Sequence, residues 1–208
     1  MEEKITMTDY KLIKKDEWAV VLDFLPQGHY GMSRSQPVAQ AIGDKYFSLL
    51  ELIIRDGSAA KTGEKVYIGE KKRDKVKYIS GRIKVDQLTN AAKDEMENVI
   101  NSIVEQSQEF FIKFFNESGA LTTRLHQLEL LPGIGKKHLW AILEERKGRS
   151  FESLEDIKKR VPLLPDPKNM LVKRIIGELE EKDRYHIFVL RPKEGEHQKP
   201  EREVIARA

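Results

Sequence analysis

The 208-residue chain has no cysteine, which excludes disulfides, thiolate metal centres and cysteine nucleophiles together. It also has no apolar run near the ~18 residues that a membrane-crossing helix requires. Its opening residues, MEEKITMTDYK, are charged and lack the apolar core of a secretory leader. A cytoplasmic protein is the simplest expectation. Signatures of chemistry are missing as well. The run Gly133-Ile134-Gly135-Lys136 is not a nucleotide phosphate loop, because Leu130 stands where that loop needs its first glycine and Lys137 where it needs Ser or Thr. The five histidines, His29, His126, His138, His186 and His197, show no metal-ligand spacing. No acidic cluster marks a two-metal centre, and no serine stands in a nucleophile elbow. Asp23 and Glu51 fall on expected strands, where surface or ion-pair roles are the default. No cofactor, metal or catalysis is expected.

Charge is abundant and unevenly spread. Charged residues make up 34% of the chain and apolar ones 39%, against the roughly one quarter charged in an average domain. The net charge is only +3. Residues 55–84, however, carry ten Lys/Arg against four Asp/Glu, residues 92–118 two against six, and residues 121–150 six against three. Charge runs are often no more than solvated faces. Two basic segments flanking an acidic one are nonetheless the local pattern that attracts a polyanion.

The pattern predicts an α+β protein, with a small OB-like β-barrel followed by a helical unit. Residues 1–88 read as the barrel. Trp18–Leu25, Pro37–Ile42, Lys45–Ile54, Lys65–Ile68 and Val76–Ile83 are short β-prone runs between Gly- and Pro-bearing turns. Residues 89–119 read as a connecting helix, long or slightly broken, since Met96, Val99, Ile100, Ile103, Val104, Phe110, Phe111, Phe114 and Phe115 recur at three- and four-residue steps. Residues 120–182 read as shorter helices near 122–131, 136–147 and 153–161, with a further one starting at Asp166-Pro167. Tyr185–Leu190 (YHIFVL), within 183–191, reads as a late strand pairing back onto the sheet. Residues 192–208 read as a flexible charged tail.

The most informative run is Leu131-Pro132-Gly133-Ile134-Gly135-Lys136-Lys137. It predicts a hairpin between two helices. Glycines at that spacing allow unusual backbone angles and close approach by a ligand. The free N–H groups and positive dipole end of the second helix suit a phosphate oxygen, with Lys136 and Lys137 adding charge. Ile134 is expected to turn inward, and Leu128, Leu131, Leu139, Ile142 and Leu143 to supply the apolar faces. The run resembles the helix-hairpin-helix motif. That resemblance implies a grip on the sugar-phosphate chain with little reading of sequence. A second copy falls at Val161-Pro162-Leu163-Leu164-Pro165-Asp166-Pro167, without glycine and with an acid, and reads as a structural partner that does not bind. In the barrel, Lys71, Lys72, Arg73 and Lys75, near Tyr67 and Tyr78, have the charge-plus-aromatic composition of a strand-binding surface. The loop Gln27–Gln36, with His29, Tyr30 and Arg34, is a weaker candidate of the same kind.

Across nearly its whole length the chain also resembles DUF655, an archaeal family of unknown function. The features that carry this are Asp23-Phe24-Leu25-Pro26-Gln27-Gly28, Pro37-Val38-Ala39-Gln40-Ala41-Ile42-Gly43, Phe47-Ser48-Leu49-Leu50-Glu51-Leu52, Gly63-Glu64-Lys65-Val66-Tyr67-Ile68-Gly69 and the run from Thr122 through Glu145. The resemblance implies an OB-like region joined to a helix-hairpin-helix region, an archaeal source and RNA binding, with no established activity. The expected partner is therefore nucleic acid, RNA ahead of DNA, with ribosomal or ribonucleoprotein components as possible company. Two rivals remain open: a scaffold in a ribonucleoprotein assembly, and the targeting part of a nuclease or modification enzyme.

Overall fold

A computed structural model describes residues 15–29, 36–182 and 184–190. Tyr30 and Arg34 of the first loop and the tail 192–208 lie outside the described residues. Five strands, β1 (Trp18–Leu25), β2 (Val38–Gly43), β3 (Leu49–Ile54), β4 (Lys65–Tyr67) and β5 (Val76–Arg82), form one antiparallel sheet in the order β4-β1-β2-β3-β5. The sheet curls into a half-barrel. The Glu64–Lys75 ion pair joins the residues just before its two edge strands. Small residues on the concave face, Ala19, Ala39 and Ala41, make room for Val21, Leu50, Leu52, Ile54 and Val66. On the opposite face Leu22, Ile42 and Leu49 meet the helices. A sheet covered on both sides needs apolar residues at consecutive positions, which is why β2 and β3 are apolar on both faces, interrupted only by Gln40 and Glu51. β3 begins at Leu49 and not at Lys45. Residues 44–46 form a turn instead, in which the Asp16 carboxylate accepts the N–H groups of Lys45 and Tyr46 at 3.0 and 2.7 Å.

The amphipathic stretch splits into α1 (Asn90–Gln106) and α2 (Gln108–Glu117), broken at Ser107. Its start is fixed from the sheet. The Thr89 hydroxyl accepts the Ala92 N–H at 3.0 Å and donates to Asp23 at 2.7 Å. Buried Gln40 of β2 accepts the Thr89 N–H at 2.8 Å and donates to the Gln87 carbonyl at 3.0 Å. Glu51 stands in the same cross-strand row as Asp23, with Gln40 between them, and accepts from the Ser80 hydroxyl at 2.9 Å while pairing with His29 at 2.7 Å.

Three further helices follow: α3 (Lys136–Gly148), α4 (Leu154–Arg160) and α5 (Pro167–Leu179). Ser153 caps α4, accepting from Asp156 N at 2.9 Å, and Asp166 caps α5 at the expected start, accepting from Lys168 N at 3.1 Å. Arg146 of α3 donates to the carbonyls of Phe115 and Ser118 at 3.0 and 2.9 Å, closing the end of α2. One apolar core runs from Leu22 and Ile42 through α1 and α2 to α5, so the long stretch is a shared wall of the core as well as a connector.

Two expected elements are corrected. The helix expected near 122–131 is only a 3-10 turn, Gln127–Leu130. Upstream, the Thr122 hydroxyl accepts the N–H groups of Arg124 and Leu125 at 3.2 and 3.1 Å, offering the backbone a local alternative to helix. The strand expected within 183–191 does not form in the described residues 184–190, which make no ladder. The N–H groups of Ile187, Phe188 and Val189 converge instead on the Glu178 carboxylate at 2.9, 3.0 and 2.8 Å. Phe188 enters a ring cluster with Phe110, Phe111 and Phe114 at centroid distances of 6.3, 5.3 and 5.1 Å. The segment does return to the barrel, through Leu190 N–H to the Tyr46 carbonyl and Arg82 to the Leu190 carbonyl, at 3.1 and 3.0 Å.

Candidate nucleic-acid interface

The hairpin at 132–135 is built from two differently used glycines. Gly133 has φ +91, in the left-handed region, and a Cβ there would stand 2.9 Å from Pro165 Cγ. Both backbone angle and space therefore require glycine. Gly135 is different. It is the N-cap of α3 with ordinary extended angles, φ −94 and ψ −178, and a Cβ on it would meet nothing within 4 Å. The expectation that both glycines serve unusual angles is corrected here: the second one leaves open space at a helix end. Ile134 is buried as expected, and its N–H donates to Leu131 O at 3.1 Å. Among the described residues no side chain caps α3, so its first N–H groups face outward beside Gly135.

The second copy has the same backbone turn. Leu163 takes the left-handed place of Gly133, with φ +61, Leu164 is buried like Ile134, and its N–H donates to Val161 O at 3.4 Å. The two hairpins touch through Pro165 and Gly133. Asp166 caps its own helix, filling with a carboxylate the position that is open at α3.

The cations divide. Lys137 is exposed and has no ion pair among the described residues. Lys136 is paired: its ammonium is held by Glu129 at 2.8 Å and donates to Arg124 O at 3.1 Å, so it also braces the hairpin. In the β4–β5 loop, Lys71 and Lys72 are exposed. Arg73 donates to Gly69 O at 2.8 Å and Lys75 pairs with Glu64, so these two also hold the fold. The loop lies on the rim of a cleft of about 640 Å³ lined in part by Leu50, Tyr67, Ile79, Lys71, Arg73 and Arg82.

The sequence reading missed Trp140. Its neighbours Leu139 and Ile142 are buried, whereas Trp140 is 66% exposed. The signal was the register: with Leu139 inward, the next residue on a 3.6-residue turn is rotated by ~100°. It also missed His126 and Glu129, which form a capping box at the 3-10 turn. His126 Nδ1 accepts the Leu128 N–H at 3.2 Å, and Glu129 accepts the His126 N–H at 2.8 Å.

That cap requires a neutral imidazole. Burial holds the His126 ring below its ordinary value, helped by the charges of Arg146 and Lys136 and opposed by Glu129. Glu129 is held low chiefly by the Lys136 hydrogen bond. Above the unfolded histidine value of ~6.5 the ring is neutral in both states and the cap contributes fully. Below it the unfolded chain binds a proton that the native state resists, so stability falls with pH until the native ring titrates. Melting temperature followed from pH 8 to pH 5 should drop less steeply for His126→Asn, which keeps a side-chain cap and cannot titrate. Equal slopes would show that the ring does not couple to folding.

Three comparisons bear on the chain as a whole. The model of a protein family of unknown function, DUF655, matches residues 15–190. An uncharacterized protein of Methanocaldococcus jannaschii is 42% identical over 178 residues, covering 85% of this chain and 81% of that one. A crystal structure of a DUF655 protein from Archaeoglobus fulgidus superposes with a TM-score of 0.77 at 44% identity, over 84% of this chain and 100% of that chain. On this sequence and structural agreement, the chain belongs to the DUF655 family.

Proposed function

We propose that this protein binds nucleic acid without altering it chemically, RNA ahead of DNA, by gripping the phosphate backbone at the helix-hairpin-helix. The observation that carries this is the open end of α3. Gly135 leaves space there, Ile134 anchors the turn from within, and Lys137 stands beside unclaimed N–H donors. Oriented N–H groups at a helix start bind anions without further machinery. A second contact is expected on the barrel. Five short antiparallel strands curled into a partly open barrel suit an OB-like reading. In OB barrels the loops joining strands one to two and four to five flank the ligand face. Here the fourth-to-fifth loop carries Lys71 and Lys72, while Arg73 and Lys75 shape it. Two weak contacts on one molecule reinforce each other through effective concentration.

The test is binding of matched single-stranded RNA, duplex RNA and duplex DNA at several salt concentrations. Lys137→Ala, Lys71→Ala and Lys72→Ala should each flatten the log–log salt slope by roughly 0.7–0.9 if each loses a phosphate contact. Glu129→Gln should act indirectly, through the hairpin's stability. Absence of salt-sensitive binding to all three nucleic acids would overturn the reading.

A further inference from the structure

A phosphate grip needs no apolar surface, yet the helix-hairpin-helix unit displays two large apolar side chains. Trp140 is 66% exposed and Leu163 84% exposed. Neither contributes its full area to the core. Trp140 has no ring or cation partner among the described residues, in contrast to Trp18, which packs edge-on to Tyr67 at 5.1 Å. Leu163 is held out at its hairpin tip on a left-handed backbone, φ +61, that a leucine adopts at a cost.

Position supplies the rest. On α3 the outward stripe reads Lys137, Trp140, Glu144 and Lys147, all exposed and spaced at three- and four-residue steps. Glu144 is paired with Lys147 at 3.1 Å, so its charge is partly neutralised. Helical side chains lean toward the N-terminus, which tips the Trp140 indole toward Gly135 and the free N–H groups. From Lys136 to Trp140 the helix advances only ~6 Å. We infer that Trp140 is a stacking platform for an unpaired RNA base, whose own or adjoining phosphate sits at the start of α3. Leu163 forms an apolar shoulder on the neighbouring hairpin, joined to the first through the Pro165–Gly133 contact. Base faces are available in single strands, loops and bulges and hidden in a duplex. The ligand class is therefore RNA with unpaired bases. This rests on the phosphate-grip reading and goes beyond it, since phosphate contacts alone do not distinguish paired from unpaired strands.

The chain has two tryptophans, so Trp18→Phe leaves Trp140 as the only indole reporter. This full-length variant is titrated with a single-stranded RNA and with a blunt duplex RNA, each end-labelled so that anisotropy reports binding while indole emission reports stacking. The single strand should quench Trp140 and the duplex should not. In the wild-type background, Trp140→Ala should weaken single-strand binding roughly five- to a hundredfold. Trp140→Phe should recover most of that loss, and the salt slope should stay unchanged because the phosphate contacts remain. A rise in anisotropy with unaltered Trp140 emission would overturn the stacking inference while leaving the phosphate grip intact, and would give the exposed indole to a protein partner. Equal quenching by the duplex would also overturn it. No binding of either RNA would remove the underlying reading and this one with it.

Discussion

Gly135→Asp is expected to make the protein more stable and its binding to RNA weaker. At this position the backbone angles suit any residue and nothing lies within 4 Å of a new Cβ, so the variant should fold. An aspartate at the N-cap would accept from the first-turn N–H groups of α3, as Asp166 already does for α5. Relative to glycine, the added cap and the less flexible unfolded chain together contribute about 0.5–1.5 kcal/mol. The same carboxylate occupies the place proposed for a phosphate and repels it. Loss of a hydrogen bond to a charged group costs about 1.5–3 kcal/mol, or roughly ten- to a hundredfold in affinity. A thermal melt and a salt-dependent RNA titration on one preparation read both effects. Opposite signs would exclude damage to the fold as the cause of weaker binding. Unchanged binding would move the contact to Lys71 and Lys72.

The largest loss of stability is expected from Glu178→Ala. Glu178 is 1% exposed, and its carboxylate accepts three successive backbone N–H groups as well as Arg174 Nε at 2.7 Å. Arg174, also buried, donates to Leu130 O at 3.1 Å and to the Tyr185 carbonyl. Removing the carboxylate takes a counter-charge from a buried guanidinium and the shared acceptor from three backbone donors. Breaking a buried pair in this way costs about 3–5 kcal/mol, a large part of a typical domain's ~5–15. Glu178→Gln should lose less, because it keeps one acceptor oxygen. Denaturant melts should rank wild type, Gln, then Ala, and hydrogen exchange should show the amides of 187–189 losing protection first. An Ala variant that melts with the wild type would refute this account of the segment. Because Arg174 also holds the residue that leads into the hairpin, RNA binding should weaken alongside stability.

Local signals carried much of this protein. The strand runs, the amphipathic α1–α2 stripe, the caps at Ser153 and Asp166, and the Pro-Gly-Ile-Gly hairpin with its inward Ile134 are set by short-range periodicity and turn chemistry, which a linear reading can follow. What tertiary structure decided was how each polar group is spent. Lys136 and Lys137 are adjacent, exposed and identical in type, yet Glu129 binds the first, while the second has no ion pair among the described residues. Arg73 and Lys75 belong to a basic run but serve the barrel edge. YHIFVL has strand propensity, yet a buried carboxylate on α5 collects the N–H groups of residues 187–189, and the segment forms no ladder. Gly133 and Gly135 look alike in sequence, and only Pro165 behind one and empty space before the other tell them apart. Propensity is a local quantity, whereas partners are chosen among groups far apart in the chain. The sequence by itself determined most of the strands and helices and the hairpin between 131 and 136; the packed structure alone decided against the helix near 122–131 and the strand near 185–190, and decided which charges and N–H groups are left over at the surface.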